Sequence, residues 1–468
     1  MHFSHLPLLL LSLLPSLFIH AAESRPSVLM IAVDDLRDTV GFLENFTEIP
    51  TPNIDRLAAS GMSFGNAHCA APACAPSRTA IFTGLSPATT GVYENGQRWP
   101  DTIQEHITLT KEFMQQGYYV AGSGKNYHGD GVGPQWHTYF NVPYDKDYGV
   151  EGDALGKPLE RSYEEMPDTL RARYIIEQIA KASPDAPSFF SVGIVKPHLP
   201  FNVPKEYFDR FPLEDIPLPP TQAGDLDDLS PYARMIARGD GELDGRLYHS
   251  DVLKHDLWRK NIQAYMACVA YADDVIGEVL DAWEASPLSQ DGIVILWGDH
   301  GWHLGEKEHW SKFTLWRVGT RVPFIIRAPG VTEPGSTCDA PVNLLDLFPT
   351  LIDLTHLPKR RDLDGHTLLP LLRNPTLTWD LGSVTYHGQG NASVHSGKWH
   401  AIYYRQPGNR ELYDLEADPN EFHNLADQYD SDPEIRNVLN SLYGKNIKGF
   451  SKPASFYGKR SSKLDIPE

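Results

Sequence analysis

The chain has 468 residues, of which 41% are apolar and 22% are charged, as in an ordinary globular enzyme with a large body and a smaller second domain. The 61 acidic residues outnumber the 41 basic ones and give a formal net charge of -20, which argues against nucleic acid as a partner. The same charge repels an anionic substrate at long range, so a local cluster of basic side chains has to capture any such substrate.

The N-terminal segment has the pattern of a secretory signal peptide. Residues 6–19 form a Leu-rich apolar run, and the small residues Ala21 and Ala22 follow it. We predict that residues 1–22 are a signal peptide and that the mature protein is secreted or periplasmic. The run is too short for a transmembrane helix, and no later segment is apolar enough to be one.

The cysteine content says little about disulfide bonds. Four cysteines are few for an exported protein, and no pair has the CxxC spacing of a zinc or dithiol redox site. The sequence leaves open whether any two of Cys69, Cys268 and Cys338 are linked. The fold therefore has to depend on its apolar core rather than on disulfide bonds.

Four short, continuous apolar runs predict strands that are buried on both faces of a sheet. In chain order they are Val28–Val33, Tyr118–Ala121, Ser188–Val195 and Ile293–Trp297. Each run leads into polar, ionisable residues, which are in the same order Asp34 and Asp35, Lys125, Lys196 and His198, and Asp299 and His300. Because active sites of parallel α/β sheets form at the carboxyl ends of the strands, we expect these residues to share one site.

Helices are predicted between the strands, and a smaller unit follows them. A 3.6-residue apolar period predicts an amphipathic helix at Lys260–Trp283, and shorter helices are expected at Asn53–Ala59 and Thr110–Gln116. We predict a catalytic domain over residues 23–375 and a small C-terminal subdomain over 376–468. The subdomain is expected to be an antiparallel sheet with a helix, over the segments Gly382–Tyr386, Lys398–Tyr404, Glu411–Leu415 and Pro433–Leu442.

The segment that starts at Cys74 carries the strongest motif. Cys74, Pro76, Ser77 and Arg78 form a CxPSR pattern, and Thr-Gly follows at residues 83–84. Six fixed positions recur by chance on the order of once in tens of millions of windows, so the motif is highly specific. A buried structural thiol is the alternative, but it would not require the flanking Pro, Ser and Arg.

The chain resembles the formylglycine-dependent sulfatases of the alkaline phosphatase superfamily over nearly its whole mature length. Besides the Cys74 motif, the matching stretches are Asp34–Arg37, Pro52–Asp55, Gly124–His128, Lys196–Phe201, Gly298–Trp302, Trp310–Lys312, Glu411–Leu415 and Asp418–Glu421. Two residues separate Lys125 from His128, as in the iduronate-2-sulfatase-like branch. The resemblance implies a bacterial polysaccharide sulfatase. It also implies an α/β fold with a large, mostly parallel mixed sheet sandwiched by helices, and a smaller antiparallel C-terminal sheet.

The resemblance implies a modified nucleophile and a calcium ion. A formylglycine-generating or sulfatase-maturing enzyme would oxidise Cys74 to an aldehyde. Its hydrate, once sulfated, can collapse and expel sulfate, which avoids a second difficult S–O cleavage. Asp34, Asp35 and Asp299 are hard oxygen ligands suited to Ca²⁺, and the Cys74-derived oxygen and His300 complete the implied metal site. The alternative for Asp34 and Asp35 is that they only cap a loop.

Further roles follow from the same resemblance. Lys125, His198 and Lys312 would bind the sulfate group, and Arg78 would stabilise the formylglycine alkoxide. His128 would be the base that releases sulfate. His198 is our choice for the acid that protonates the leaving alcohol, with Lys312 as its competitor.

Two more residues are predicted to contact the substrate. His309 flanks the loop that starts at Asp299, although local packing explains this residue equally well. Asn391 ends a Gly388–Asn391 turn that resembles a pocket-facing turn of related enzymes. Where the branch often has a His and then a basic residue, this chain has Ala392 and His395, so substrate contacts from that strand are not carried over.

These observations predict an enzyme that hydrolyses a sulfate ester on a carbohydrate and releases inorganic sulfate. One alternative is a phosphonate monoester or phosphodiester hydrolase, which can share the Cys74 motif. A non-catalytic protein that binds sulfated glycans is the other, and it is disfavoured because no expected catalytic position is missing. Neither the sugar, nor the sulfate position, nor the oligomeric state can be read from the sequence.

Overall fold

The computed structural model describes residues 25–43, 49–103, 106–129, 135–143, 154–238, 248–406, 408–447 and 449–455. The predicted signal peptide, residues 1–22, lies outside these ranges and stays a prediction. Within the described ranges, no helix has the length and apolar character needed to cross a membrane. All four cysteines are buried and free, so disulfide bonds do not contribute to the fold.

A mixed sheet of eight strands forms the centre of the molecule. Phe324–Arg327 is antiparallel to both of its neighbours, and the remaining pairs are parallel. The prediction of a large, mostly parallel mixed sheet is therefore confirmed. Across the sheet the strands are Ser336–Cys338, Met62–Phe64, Phe324–Arg327, Ile293–Gly298, Val28–Val33, Ser188–Ile194, Tyr119–Gly124 and Thr138–Phe140.

The four strands predicted from apolar runs lie side by side in this sheet and are parallel to one another. Their carboxyl ends therefore meet at one edge, which brings the polar residues that follow them together. The four strands that the sequence did not reveal have only three or four residues each. Segments of that length are too short to show a recognisable period.

The central strand Val28–Val33 is buried along its whole length because both faces of the sheet are covered. Its odd-numbered residues belong to a core cluster that includes the long helix Trp258–Ala285. Its even-numbered residues belong to a second cluster that includes the helix Leu347–Leu354. Side chains that alternate between the two faces of the strand thus pack into two different apolar cores, which explains why this run is continuously apolar.

Helices surround the sheet, and the three predicted helices are confirmed within one or two residues at each end. The observed helices are Pro52–Ser60, Cys74–Thr83, Pro87–Thr90, Leu109–Gln115, Pro167–Lys181, Lys205–Phe208, Pro231–Arg238, His249–Lys254, Trp258–Ala285, Arg317–Thr320, Leu347–Leu354, Leu369–Arg373 and Pro433–Asn446. Several are capped by distant segments. The carboxylate of Asp273, on the long helix, accepts the backbone N–H groups of Asn53 and Ile54 at the start of another helix.

The C-terminal region forms an antiparallel sheet of four strands, which confirms the predicted type of sheet. One strand, Ala392–Ser396, is additional to the three that the sequence indicated, and it lies between two of them. The helix Pro433–Asn446 packs against this sheet. The domain boundary at residue 375 stays a prediction. The strands are Ser383–Tyr386, Ala392–Ser396, Trp399–Tyr403 and Arg410–Asp414.

Three buried histidine rings are stacked where this small sheet meets the main body. His395 and His400 face each other on neighbouring strands with ring centroids 3.7 Å apart, and the His68 ring lies 3.5 Å from the His395 ring. His400 is hydrogen-bonded to Glu421, and the hydroxyl of Thr320 lies within hydrogen-bonding distance of the other two rings. The stack therefore joins two parts of the fold through titratable groups.

Protonation of two of the three stacked rings, those of His68 and His395, is unfavourable in the folded protein. Burial lowers the pKa of both His68 and His395 well below the usual histidine value, and the nearby cations Arg317 and Arg321 and the His400 ring lower it further. Folding therefore holds these rings neutral. Their contribution to stability is present above the ordinary histidine pKa of about 6.5 and is lost as the pH falls below it.

We expect the variant His395→Phe to reduce the acid sensitivity of the fold, because it keeps a planar ring and removes one titrating group. Between about pH 6 and pH 5, the free energy of unfolding of the wild type should fall more steeply than that of the variant, by up to about 1.4 kcal/mol per pH unit. Urea denaturation at each pH measures this slope. The variant His423→Phe changes an exposed histidine and is the control. Equal slopes in all three proteins would contradict the prediction.

Candidate active site

Two adjacent carboxylates end the central strand of the sheet. Asp34 and Asp35 follow Val33 directly, and both are fully buried. The backbone N–H of Asp34 donates to the carbonyl oxygen of Ile194, and that of Asp35 donates to Oδ1 of Asp299 at 2.9 Å. Asp35 has a φ of 59°, a left-handed conformation that is uncommon for a residue other than glycine. The turn thus aims both carboxylates at the sheet edge.

Cys74 is the first residue of the helix Cys74–Thr83, all of whose residues are buried. Its Sγ lies 2.9 Å from Nζ of Lys312 and 3.3 Å from Nε2 of His300. The partial positive charge of a helix N-terminus also favours an anion at this position. The motif cysteine therefore lies among cationic groups, next to the aspartates.

Arg78 lies one helical turn after Cys74 and connects the helix to two strand ends. Its guanidinium donates to Oδ1 of Asp34 at 3.0 Å and to Oδ2 of Asp299 at 2.8 Å. It also donates to the carbonyl oxygens of Lys125 and Asn126. Arg78 has no exposed surface, and its guanidinium also lies over the ring of Trp297, 5.4 Å from the ring centroid.

Lys125 follows the strand Tyr119–Gly124, and its ammonium group is hydrogen-bonded to the carboxylate of Asp34. Its backbone N–H donates to the carbonyl oxygen of Gly193 on the next strand at 2.9 Å. A Cβ atom at position 193 would lie 2.2 Å from the carbonyl carbon of Lys125, so glycine is required for this close approach. His128 is three residues further on, and its Nδ1 is buried without a hydrogen-bond partner among the described residues.

His198 and Lys312 approach the aspartates from other segments. Nε2 of His198 lies 4.0 Å from a carboxylate oxygen of Asp34 and 3.9 Å from one of Asp35. Nζ of Lys312, after the short strand Trp310–Ser311, donates to Oδ1 of Asp35 at 2.8 Å. The side chains of His198 and Lys125 are 16% and 14% exposed, whereas the aspartates have no exposed surface. These two residues therefore face the opening of the site.

The electrostatics of the cluster favour an anion at position 74. Burial alone would raise the pKa of the Cys74 thiol, but Lys125, Lys312 and His300 outweigh it and hold the pKa well below its usual range. Burial lowers the pKa of His300, but Asp299 and Cys74 reverse this effect and raise it to about 9. Burial lowers the pKa of His128, so that this ring is neutral and able to accept a proton.

The donor atoms of the cluster fit a hard divalent cation. One set consists of ligand atoms from Asp34, Cys74, Asp299 and His300, which all lie within 4.8 Å of one another. Oδ2 of Asp35 is buried without a hydrogen-bond partner in the described part of the chain, so it is available to a cation. Three carboxylates in one place suit Ca²⁺, whereas zinc sites rely more on nitrogen and sulfur.

The charges of the cluster nearly cancel within the protein. The three aspartates form ion pairs with three permanent cations, which are Arg78, Lys125 and Lys312. A divalent cation added to this set would give the site a net positive charge. In a chain with a net charge of -20, such a local excess is what an anionic substrate requires.

Two residues that were predicted to contact the substrate use their polar side-chain atoms in hydrogen bonds within the protein. The ring nitrogens of His309 lie 2.7 Å from the carbonyl oxygens of Ala237 and Lys312. The side-chain NH₂ group of Asn391 donates to the hydroxyl of Tyr232 and to the carbonyl oxygen of His387, and its Oδ1 accepts the backbone N–H of Arg405. Both residues hold segments that border the site, and their contact with substrate stays a prediction.

One residue that positions the motif helix, Asn95, was not predicted from the sequence. Oδ1 of Asn95 accepts the backbone N–H of Ala75 at 2.9 Å and so binds the first turn of the helix after Cys74. In the sequence this Asn stands before a glycine, which indicates only a turn. A contact across 20 residues leaves no periodic signal.

Comparison with known proteins identifies the family. Residues 26–357 match the family model described as Sulfatase, and residues 305–448 match the one described as N-sulphoglucosamine sulphohydrolase, C-terminal. A protein named Sulfatase from Formosa agariphila is 35% identical over 432 residues, which cover 86% of this chain and 84% of that protein. Iduronate 2-sulfatase of Homo sapiens is 30% identical over 382 residues, or 71% of this chain and 69% of that protein.

Two solved structures share the fold at low sequence identity. The phosphonate monoester hydrolase of Agrobacterium radiobacter superimposes with a TM-score of 0.74 at 20% identity, over 90% of this chain and 96% of that chain. A protein in complex with its substrate D-glucosamine-2-N,6-O-disulfate gives a TM-score of 0.72 at 19% identity, over 90% and 98%. The predicted alkaline phosphatase-like fold is confirmed. Because the Sulfatase family model matches most of the chain and the sequence relatives are sulfatases, the chain belongs to the sulfatase family and is a sulfuric ester hydrolase.

Proposed function

We propose that this sulfatase hydrolyses a sulfate ester on a carbohydrate and releases inorganic sulfate. The observation that carries the proposal is the position of Cys74 at a helix N-terminus, with its Sγ 2.9 Å from Nζ of Lys312 and 3.3 Å from Nε2 of His300. A nucleophile at this position meets an anion held by the surrounding cations. The carbohydrate is supported by the relative named iduronate 2-sulfatase and by the fold neighbour bound to a disulfated glucosamine.

Sulfate capture is assigned to Lys125, Lys312 and His198. Lys125 and His198 are the members of the cluster that reach the opening, and Lys312 lies behind them against Cys74. Preorganised cations lower the energy of a transition state in which negative charge spreads over the sulfate oxygens. The three residues come from three separate segments, so the bound sulfate is contacted from several sides.

A calcium ion and a modified Cys74 complete the proposed site. Asp34, Asp35, Asp299 and His300 would hold Ca²⁺, which supplies positive charge that lowers the pKa of the nucleophile. Formylglycine derived from Cys74 would supply a hydrated aldehyde whose hydroxyl group serves as the nucleophile. Arg78, fixed between Asp34 and Asp299, keeps a permanent positive charge one turn away from that hydroxyl.

Two histidines are assigned to proton transfer. His128 lies partly buried beside Cys74, burial lowers its pKa, and its Nδ1 has no hydrogen-bond partner in the described structure. These properties suit a base that takes the remaining hydroxyl proton of the sulfated hydrate, so that sulfate is released. His198 faces the opening, where the alcohol leaves, and is proposed to donate the proton that the alcohol needs. Lys312 remains its competitor, although this ammonium is engaged by Asp35 and Cys74.

Export and maturation belong to the same proposal. We infer that residues 1–22 direct the chain to the periplasm or the exterior and that a formylglycine-generating or sulfatase-maturing enzyme acts on Cys74. The cysteine has no exposed surface in the folded protein. Modification therefore has to occur before the helix Cys74–Thr83 packs into the core.

We expect a sulfate ester to be hydrolysed faster than the phosphate ester of the same alcohol, since the site is proposed to serve a sulfatase rather than a phosphonate or phosphodiester hydrolase. Measuring kcat/KM for p-nitrophenyl sulfate and p-nitrophenyl phosphate tests this expectation. The variant Cys74→Ser should lose activity by a factor on the order of 10³ or more, because the nucleophile is removed. The variant Cys338→Ser, in a distant strand, is the control. Better turnover of the phosphate ester would refute the proposal.

Mass spectrometry should reveal the modification in protein made by a host that has a maturation enzyme. The tryptic peptide of residues 57–78 contains both Cys69 and Cys74. We expect Cys74 to have lost its sulfur and gained an aldehyde, while Cys69 keeps its thiol and serves as the internal reference. A peptide with two intact thiols would contradict the assignment.

Calcium should stabilise the fold, because it binds a site that the unfolded chain lacks. At a free concentration of about 100 times Kd, the expected gain in the free energy of unfolding is about 2.7 kcal/mol. Thermal unfolding with added CaCl₂ and with EGTA measures the difference. The variant Asp35→Asn should lose most of this gain, and Asp281→Asn, which changes a carboxylate that is 71% exposed, should keep it. The same gain in both variants would exclude Asp35 as a ligand.

A further inference from the structure

A histidine of the small C-terminal sheet lies close to the segment that carries Lys312. His387 directly follows the strand Ser383–Tyr386, and its side chain is only 6% exposed. Its ring lies 6.2 Å from the ring of Phe313, which directly follows Lys312 in the chain. The backbone N–H of Phe313 donates to the carbonyl oxygen of Pro72, two residues before Cys74. One aromatic ring therefore separates His387 from the catalytic lysine.

The hydrogen-bonding capacity of His387 is unused. Its Nδ1 is buried without a partner, and no side-chain hydrogen bond of this ring is found within the described ranges. Burial, with a smaller contribution from His309, lowers its pKa to about 4, so the ring is neutral and has one donor and one acceptor. An unpaired polar group at a buried position is costly, so a ligand that formed a hydrogen bond with it would be bound more tightly.

Glu94 has the same property on the neighbouring loop. Its carboxylate is partly buried, and the described part of the chain provides no ion pair or side-chain hydrogen bond to it. Burial raises its pKa. The next residue, Asn95, is bound to the helix N-terminus at Ala75, so Glu94 lies on the segment that contacts the first turn after Cys74.

These two segments are packed against each other through a shared aromatic residue. The ring of Phe450 lies 6.4 Å from that of Tyr93 and 5.7 Å from that of Tyr386. Glu94 and His387 are the next residues after those two tyrosines. Glu94 and His387 therefore lie on adjoining segments, one from the main body and one from the small sheet.

We propose that Glu94 and His387 position the sugar ring of the substrate by hydrogen bonds to its hydroxyl groups. This inference depends on the proposed function, whose leaving group it describes. A carboxylate accepts hydrogen bonds from neighbouring hydroxyls, and a neutral imidazole both donates and accepts, which together suit an uncharged polyol surface.

The test compares a sulfated sugar with a sulfate ester that has no sugar. For the variants Glu94→Ala and His387→Phe, we measure kcat/KM with N-acetylglucosamine 6-sulfate, galactose 6-sulfate, galactose 4-sulfate and an unsaturated uronate 2-sulfate disaccharide, and with p-nitrophenyl sulfate. Each variant should lose about 10- to 100-fold on the sugars that the wild type hydrolyses, as expected for lost hydrogen bonds. The loss with p-nitrophenyl sulfate should be at least about tenfold smaller.

The controls separate this inference from the proposed function. Glu284→Ala and His423→Phe remove exposed side chains and should match the wild type with all substrates. Equal losses of kcat/KM with the sugars and with p-nitrophenyl sulfate would assign Glu94 and His387 a merely structural role and overturn the inference. An unchanged kcat/KM with all substrates would also overturn it. A wild type that hydrolyses p-nitrophenyl sulfate but none of the sugars would instead refute the carbohydrate proposal and the inference with it.

Discussion

A single guanidinium joins the segments that build the site. Arg78 reaches from the helix Cys74–Thr83 to Asp34 and Asp299, which follow two neighbouring parallel strands, and to the carbonyl oxygen of Asn126 beyond a third. Since Arg78 is one turn from Cys74, these contacts fix the helix N-terminus relative to the sheet edge. The distances from Cys74 to His300 and Lys312, and the convergence of the carboxylates, all depend on this arrangement.

The buried charges of the site add little net stability to the fold, because desolvation offsets much of the attraction between buried ions. The stability needed to hold them comes from the two apolar cores on either face of the sheet. The strand Val28–Val33 contributes side chains to both cores and ends in the two aspartates. The strand that packs into both apolar cores thus carries the two adjacent aspartates of the site at its end.

The small sheet is connected to the site by polar contacts rather than by apolar packing alone. The histidine stack joins it to the segment before Cys74, and the backbone N–H of Tyr386 donates to the carbonyl oxygen of Ala70. The ammonium group of Lys307 bonds the carbonyl oxygen of Glu421. These contacts hold His387 beside Phe313, so a residue of the C-terminal region lies next to the segment that carries Lys312.

The sequence by itself determined the family, the four longer buried strands and the identity of the polar residues that follow them. Those features are local, because an apolar run or a fixed motif is complete within one segment. Only the tertiary structure decided which polar side chains form hydrogen bonds within the protein. Asn391 and His309 bond distant backbone and side-chain atoms, whereas the side chains of His387 and Glu94 have no such partner within the described residues. Partners that come from remote segments leave no pattern in the sequence, so only the folded chain distinguishes an engaged side chain from an available one.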